Sequence, residues 1–308
     1  MKEQLFLETI KSIIGDKYIG DDCAYLKDLG IVVTQDSLVE DVHFKMDYFT
    51  PFQLGYKSIM VNISDIAASG AVPRYVSIAI SLPSETSNEF IKEFYTGAKK
   101  VLDLYNNVEI IGGDITGAEK IVVSICAIGV TSGCKIASRS NAQENQIVVT
   151  TGLHGSSSGG LELLLNSRVQ PNSLIEAHIS PCAKLKDAQL ISRNIQEPYS
   201  MMDTSDGLAD ALYKIAKSSD KTLVIDFDKI KFDPKLKEVF PENYIEKILY
   251  GGEDYQLVAT VPESLLLKLN SWYKIGFVKS GSPIVELKMN EKTTIIDNID
   301  KCYNHFNV

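Results

Sequence analysis

Six short acidic motifs run through most of this 308-residue chain: Gly20-Asp21-Asp22, Thr34-Gln35-Asp36, Asn62-Ile63-Ser64-Asp65, Gly112-Gly113-Asp114, Asp203-Thr204-Ser205-Asp206-Gly207 and Gly251-Gly252-Glu253-Asp254. Most stand where an apolar run ends and a Gly- or Ser-containing turn begins, so strands far apart in sequence could bring them together. Converging carboxylates repel one another unless a positive charge sits among them. Carboxylate and hydroxyl oxygens suit a hard divalent cation such as magnesium.

Taken singly, each motif also has a plain structural reading. Asp203 to Gly207 looks like a helix N-terminus, with Ser205 or Asp206 as the cap. Capping needs only one of its two carboxylates, however, and leaves the other for a metal. Gly112-Gly113-Asp114 and Gly251-Gly252-Glu253-Asp254 read as glycine turns after strands. They read equally as places where backbone N–H groups approach a phosphate, with Asp114 holding a bridging metal. Asn62 to Asp65 is the least ordinary of the set. It lies inside an apolar helical run, where Asn, Ser and Asp are poor formers, and a buried Asp65 must be paired, metal-bound or protonated. His43, His154, His178 and His305 read as structural histidines.

What is missing narrows the chemistry. The Gly/Ser-rich stretch 155–160 lacks the lysine of a P-loop, and neither G-x-x-x-x-G-K-[ST] nor G-x-G-x-x-G occurs anywhere. If phosphates bind, magnesium rather than lysine must neutralise most of their charge.

The elements that would present these motifs alternate between strand and helix. Ile31–Thr34 reads as a strand ending at Gln35-Asp36. Thr50-Pro51 opens a helix, with Thr as N-cap and Pro at the first position, that runs to about Ala68 and stops at Gly70. Strands follow at 74–82, 108–111 and 121–130, with a helix over 85–105. The polar stretch 132–146 separates two halves, placing one domain at 1–135 and a second at 136–308. In the second, strands are expected at 147–151, 223–227, 255–260 and 272–278, and helices at 161–166, 182–195 and 208–216. Alternation in both halves indicates an α/β fold of α+β layers.

Net charge is −9, which argues against non-specific nucleic-acid binding. Five cysteines show neither CxxC nor zinc spacing and read as reduced thiols of a cytoplasmic protein. Residues 1–14 form an amphipathic helix without the apolar core of a signal peptide, and no run reaches bilayer-spanning length.

In their order the motifs resemble the thiamine-monophosphate kinase family, within the superfamily of aminoimidazole ribonucleotide synthetase and selenophosphate synthetase. The matching segments are 19–24, 36–44, 61–71, 112–116, 203–208 and 251–255. The resemblance implies a two-domain aminoimidazole ribonucleotide synthetase-like fold and a homodimer built on the N-terminal domains. It implies transfer of the ATP γ-phosphoryl group to thiamine monophosphate, directly and in line, on a site holding several magnesium ions. By resemblance, Asp22, Thr34, Gln35 (through its backbone), Asp36, Asp65, Asp114, Asp203 and Asp206 are metal ligands, with Asp36, Asp65 and Asp114 bridging and so catalytic. Tyr95, Gly113, Asp114, Arg139 and Ser205 would contact ATP, and His43 and Glu253 the thiamine monophosphate. Asp21 and Asp254 are left with structural roles.

The chain departs from the family pattern in three places. Arg139 is followed by Ser140-Asn141-Ala142-Gln143-Glu144-Asn145-Gln146, without the family's two glycines. Ser180 stands where an Arg is usual, and Asp300 where a Trp stacks on the substrate, a role Tyr303 could take instead. These departures keep open an alternative: a metal-dependent nucleotide-binding or sensor protein without kinase turnover. Selenophosphate synthetase would want a reactive Cys near the N-terminus, and the hydrogenase-maturation relative a Cys at the C-terminus. Cys23 lies in an apolar run and the chain reads His305-Phe306-Asn307-Val308 at its end, so neither is expected.

Overall fold

In the computed structural model, residues 2–105, 107–303 and 305 are described. Met1 of the expected N-terminal helix, and Asn304 and residues 306–308 of the C-terminal motif, lie outside them. Helix α1 (Lys2–Ile14) is followed by β1 (Ala24–Leu26), β2 (Ile31–Val39), α2 (Pro51–Ser69), β3 (Val72–Leu82), α3 (Asn88–Leu104), β4 (Glu109–Gly117) and β5 (Val122–Val130). These five strands form one sheet, ordered β1-β2-β5-β3-β4. All neighbours are antiparallel except β3 and β4.

Then come β6 (Ile147–Thr151), α4 (Ser156–Leu165), α5 (Asn172–Ile179), α6 (Leu185–Ser192), β7 (Met201–Asp203), α7 (Leu208–Ser219), β8 (Thr222–Asp226), α8 (Pro234–Val239), α9 (Tyr244–Tyr250), β9 (Leu257–Val261), β10 (Trp272–Lys279), β11 (Val285–Met289) and β12 (Lys292–Ile296). Their seven strands form a second sheet, β12-β11-β8-β10-β6-β9-β7. The architecture is mixed α/β with two sheets, as the alternation predicts. Among the described residues, no helix is long and apolar enough to cross a membrane.

Helix α2 organises the molecule. Thr50 accepts from the Gln53 N–H, and Gln53 closes the capping box by accepting from Thr50 N. Gly70 ends the helix in the left-handed conformation. Most of its length is buried, because it packs against β2 and β5 on one side and α3, α6 and β7 on others. A helix covered all round must be apolar nearly all round; its only charged residues are Lys57 and Asp65.

Strand β2 continues through Gln35 and Asp36 to Val39, so the expected turn there does not form. Val32, Thr34 and Leu38 are buried toward α2, while Gln35 and Ser37 are exposed. Likewise Gly112-Gly113-Asp114 is not a turn after a strand but the middle of β4. A Cβ on Gly113 would lie 1.8 Å from the Ile78 carbonyl oxygen, so the glycine lets β4 press against β3. Helices α5, α8 and α9 and strands β1, β11 and β12 have no counterpart in the sequence reading. The helices are short, at six to eight residues, too few for a 3.6-residue period to declare itself.

One consequence for stability arises in the second half. His154 is completely buried, its Nε2 2.8 Å from the Thr150 hydroxyl, and burial pushes its pKa down to about 4. Between the ordinary value near 6.5 and about 4, the unfolded chain takes up a proton that the folded chain refuses. Stability contributed by this residue is therefore lost as pH falls through that window, by about 3 kcal/mol in all. Chemical denaturation of the wild type and a His154→Gln variant from pH 7 to pH 4 should show a smaller acid-side loss in the variant.

Candidate active site

The Asn62 to Asp65 motif explains itself once β2 and β7 lie on either side of α2. Asn62 Oδ1 accepts from the Asp36 backbone N–H at 3.2 Å, fixing β2. Ser64 Oγ donates to Asp203 Oδ2 at 2.6 Å, fixing the end of β7. Asp65 accepts from Thr34 Oγ1 at 2.5 Å. Polar residues that weaken a helix in isolation here tie it to two strands. The result is a cluster in which Asp22, Asp65 and Asp203 each offer an oxygen within 4.8 Å of the others. Asp22 comes from the loop before β1, Asp65 from α2 and Asp203 from β7.

The cluster is electrostatically strained. Burial, reinforced by neighbouring carboxylates, pushes Asp36 up to about 6, Asp203 up to about 7 and Asp65 well above the usual carboxylate range. Arg139 donates from Nη2 to Asp22 Oδ1 at 2.8 Å, and Lys214 pairs with Asp206 at 3.1 Å and Asp210 at 2.8 Å. The donor set is wholly hard oxygen (three carboxylates and the Thr34 hydroxyl beside them), which fits a magnesium-like ion and not a soft one. Raised carboxylate pKa values are what such a site shows before a cation neutralises it.

Asp203 to Gly207 does lead into a helix N-terminus, but neither Ser205 nor Asp206 caps it. The N-cap of α7 is Gly207, with no side-chain cap. Ser205 Oγ instead donates to Asp203 Oδ1 at 2.9 Å, and Asp206 faces Lys214. Asp21 and Asp254 do have structural partners. Asp21 Oδ1 accepts from the Arg139 backbone N–H at 2.7 Å and Ser138 Oγ at 3.1 Å. Asp254 accepts from the N–H groups of Gly155 and Ser157 at the start of α4.

A cavity of about 880 Å³ is lined by Asp36, Asp65, Ser205 and Asp206 and also by His43, Glu253, Tyr303 and His305. His43 Nδ1 accepts from the Val39 N–H at 3.0 Å; burial first, then nearby His305 and Lys57, push it down to about 4, so it is neutral at pH 7. Its ring centroid lies 5.1 Å from that of His305, which is 4.9 Å from Tyr303. The C-terminal segment thus brings aromatic groups to the side of the cavity that holds His43.

Three expected residues are elsewhere. Gly113 and Asp114 lie on the edge strand β4, exposed like its whole length. Along the sheet register, Asp36 aligns with Ile125, Ile78 and Gly113. Asp114 therefore stands three strand spacings away, roughly 14 Å, and on the opposite face. Tyr95 packs on the core from α3 beside Phe94 and does not line the cavity. The Gln35 side chain points to the opposite face, where Nε2 donates to Ser124 Oγ at 3.2 Å, which leaves only its backbone for the expected metal contact. Sequence reasoning missed Lys57 and left His178 unassigned, though both meet Glu253. The signal for Lys57 was a lone cation in an apolar helix.

With this geometry in place, comparison with known proteins is informative. The family model "AIR synthase related protein, N-terminal domain" matches residues 20–131. The thiamine-monophosphate kinase of Bacillus subtilis (strain 168) is 37% identical over 311 residues, covering 94% of each chain. A solved structure, AaThiL complexed with AMPPCP and TMP, is 31% identical and superposes with a TM-score of 0.86 over 95% of this chain and 97% of that one. The HypE-HypF complex structure, at 20% identity and a TM-score of 0.77 over 95% of this chain and 99% of that one, shares the fold alone. A conserved architecture and full-length identity of this order place the chain in the thiamine-monophosphate kinase family.

Proposed function

We propose that this protein transfers the γ-phosphoryl group of ATP to thiamine monophosphate, yielding thiamine diphosphate and ADP. The observation that carries the reading is one cavity that holds both Asp36 and Asp65 of the acid cluster and His43 and Glu253. The acceptor is a phosphate monoester with a second pKa of about 6, already a dianion at neutral pH. Its oxygen attacks the γ-phosphorus as the bond to the ADP oxygen breaks, so no general base is required. The obstacle is repulsion between two anions.

Asp22, Asp65 and Asp203, with Asp36, Asp206 and Thr34 beside them, would hold magnesium. Bound magnesium supplies the neutralisation that lets the two anions approach. Arg139, paired with Asp22, would meet the ATP phosphates at the metal site, and Ser205, which lines the cavity with its hydroxyl bonded to Asp203, would contact ATP from there. Neutral His43, its Nδ1 taken by the Val39 N–H, would donate from Nε2 without adding charge, and Glu253 would offer a carboxylate to the cationic, amino-bearing rings of the acceptor. Catalysis on this reading is positioning and electrostatics.

The reading extends to assembly. The edge strand β4 is exposed over nine residues, with Ile111 57% and Ile115 66% exposed, and the row Ser37, Ser124, Ala79 and Asp114 runs across an uncovered sheet face. Unpaired edges of this kind are normally covered, and a second copy covering this one makes a homodimer. Gly113, Asp114 and Tyr95 then act at a site completed across the interface. We divide the chain at 135/136, between the end of β5 and the start of β6, and assign the enzyme to the cytoplasm. Incubation with ATP, magnesium and thiamine monophosphate tests the activity directly. Thiamine diphosphate is the expected product; ATP binding without product would replace this reading by the nucleotide-sensor one.

A further inference from the structure

Lys57 is a cation with no access to solvent: its side chain is 0% exposed. It leaves α2 in the N-terminal half and makes all of its polar contacts in the C-terminal half. Nζ donates to the His178 carbonyl oxygen at 2.9 Å and to Glu253 Oε2 at 3.3 Å. It also lies 5.4 Å from the centre of the Phe49 ring. His178 Nδ1 approaches the same Glu253 oxygen at 3.3 Å, and Ser157 Oγ at 3.1 Å. Its Nε2 is buried without a partner, so the favoured tautomer carries its proton on Nδ1, where the Ser157 hydroxyl accepts.

Lys57 therefore donates to one oxygen of Glu253, and the His178 ring stands against the same oxygen. The other, Oε1, has no partner among the described residues, and Glu253 lines the cavity. Glu253 also sits at φ +64°, uncommon for a residue with a side chain, with its backbone N–H held by the Ser205 carbonyl oxygen at 2.7 Å. A carboxylate at the end of three free torsions would sample several orientations. Here the buried ammonium pins one oxygen and leaves the other free for a ligand in the cavity that Glu253 lines.

We infer that Lys57 is a positioning residue for the acceptor: through Glu253 Oε2 it orients the carboxylate that recognises the thiamine moiety. It touches neither ATP nor the acid cluster. This deepens the proposed function and rests on it. Lys57 does not itself meet substrate, because it is sealed beneath Glu253.

The test is steady-state kinetics on Lys57→Met, which keeps the length of the side chain but removes the charge, with Glu253→Gln and the double variant. Lys57→Met should raise KM for thiamine monophosphate about tenfold or more, leaving KM for ATP within about twofold. Because Lys57 acts through Glu253, the double variant should match Glu253→Gln alone rather than multiply the two losses. Equal effects on both KM values, multiplicative losses, or a lowered melting temperature with unchanged KM would each overturn the inference in favour of a purely structural role. If Lys57→Met does not fold, Lys57→Gln, which can still donate to the His178 carbonyl, takes its place; failure of both to fold counts against the inference in the same way. Absence of thiamine diphosphate from the unaltered protein would instead refute the parent reading, so the two failures are distinct.

Discussion

An Asp65→Asn variant is expected to lose phosphorylation of thiamine monophosphate by at least on the order of a thousandfold while melting no lower than the unaltered protein. The two effects have one cause. Asp65 is buried beside Asp36, Asp203 and Asp22, all of which raise its pKa further. Asn has the same shape, and its oxygen still accepts from the Thr34 hydroxyl that now bonds Oδ2. Removing the charge thus relieves repulsion among the carboxylates, while a cation bound there would lose a central ligand. Magnesium should raise the melting temperature of the unaltered protein, and EDTA should reverse the rise; the shift should largely vanish in Asp65→Asn. Near-normal turnover in the variant, or an undiminished magnesium shift, would refute the assignment.

The second large effect concerns Asp114. Asp114→Asn is expected to be as inactive as Asp65→Asn, although Asp114 lies across the sheet from the cluster and on its other face. If both residues serve one reaction, the Asp114 that does so belongs to another copy of the chain. Two inactive variants should therefore complement. In a heterodimer of Asp65→Asn with Asp114→Asn, one composite site carries both lesions and the other carries none. Random 1:1 reassortment should restore roughly a quarter of wild-type activity. Mixtures that stay inactive after verified subunit exchange would exclude action across the interface. Full activity of Asp114→Asn alone would remove the residue from the machinery.

Much of the fold was legible because its signals are local. Thr50 and Pro51 open α2 and Gly70 closes it, as capping chemistry dictates, and long apolar runs mark β3, β5, β6 and β10. Short elements were not legible. Helices α5, α8 and α9 hold their shape through burial of residues such as Leu174, Leu236 and Ile248, not through their own periodicity. The glycine motif at 112–114 misled for a related reason. Gly113 serves a close strand contact, and nothing local distinguishes that need from a turn.

The acid site divides in the same way. Sequence alone determined which residue types were available: many carboxylates in short motifs, no P-loop lysine, and an Asn-Ile-Ser-Asp run with no business inside an apolar helix. Those facts depend only on chemical identity and spacing, and they suffice to call for a hard cation and a phosphate. Tertiary structure alone decided which carboxylates meet. It brought Asp22, Asp65 and Asp203 within reach of one cation, left Asp114 on an exposed edge strand, gave Asp21 and Asp254 the backbone partners of their expected structural roles, and buried Lys57 beneath Glu253. Electrostatic coupling falls with distance and rises with burial, and both are set by how the two sheets close around α2, which no single segment encodes.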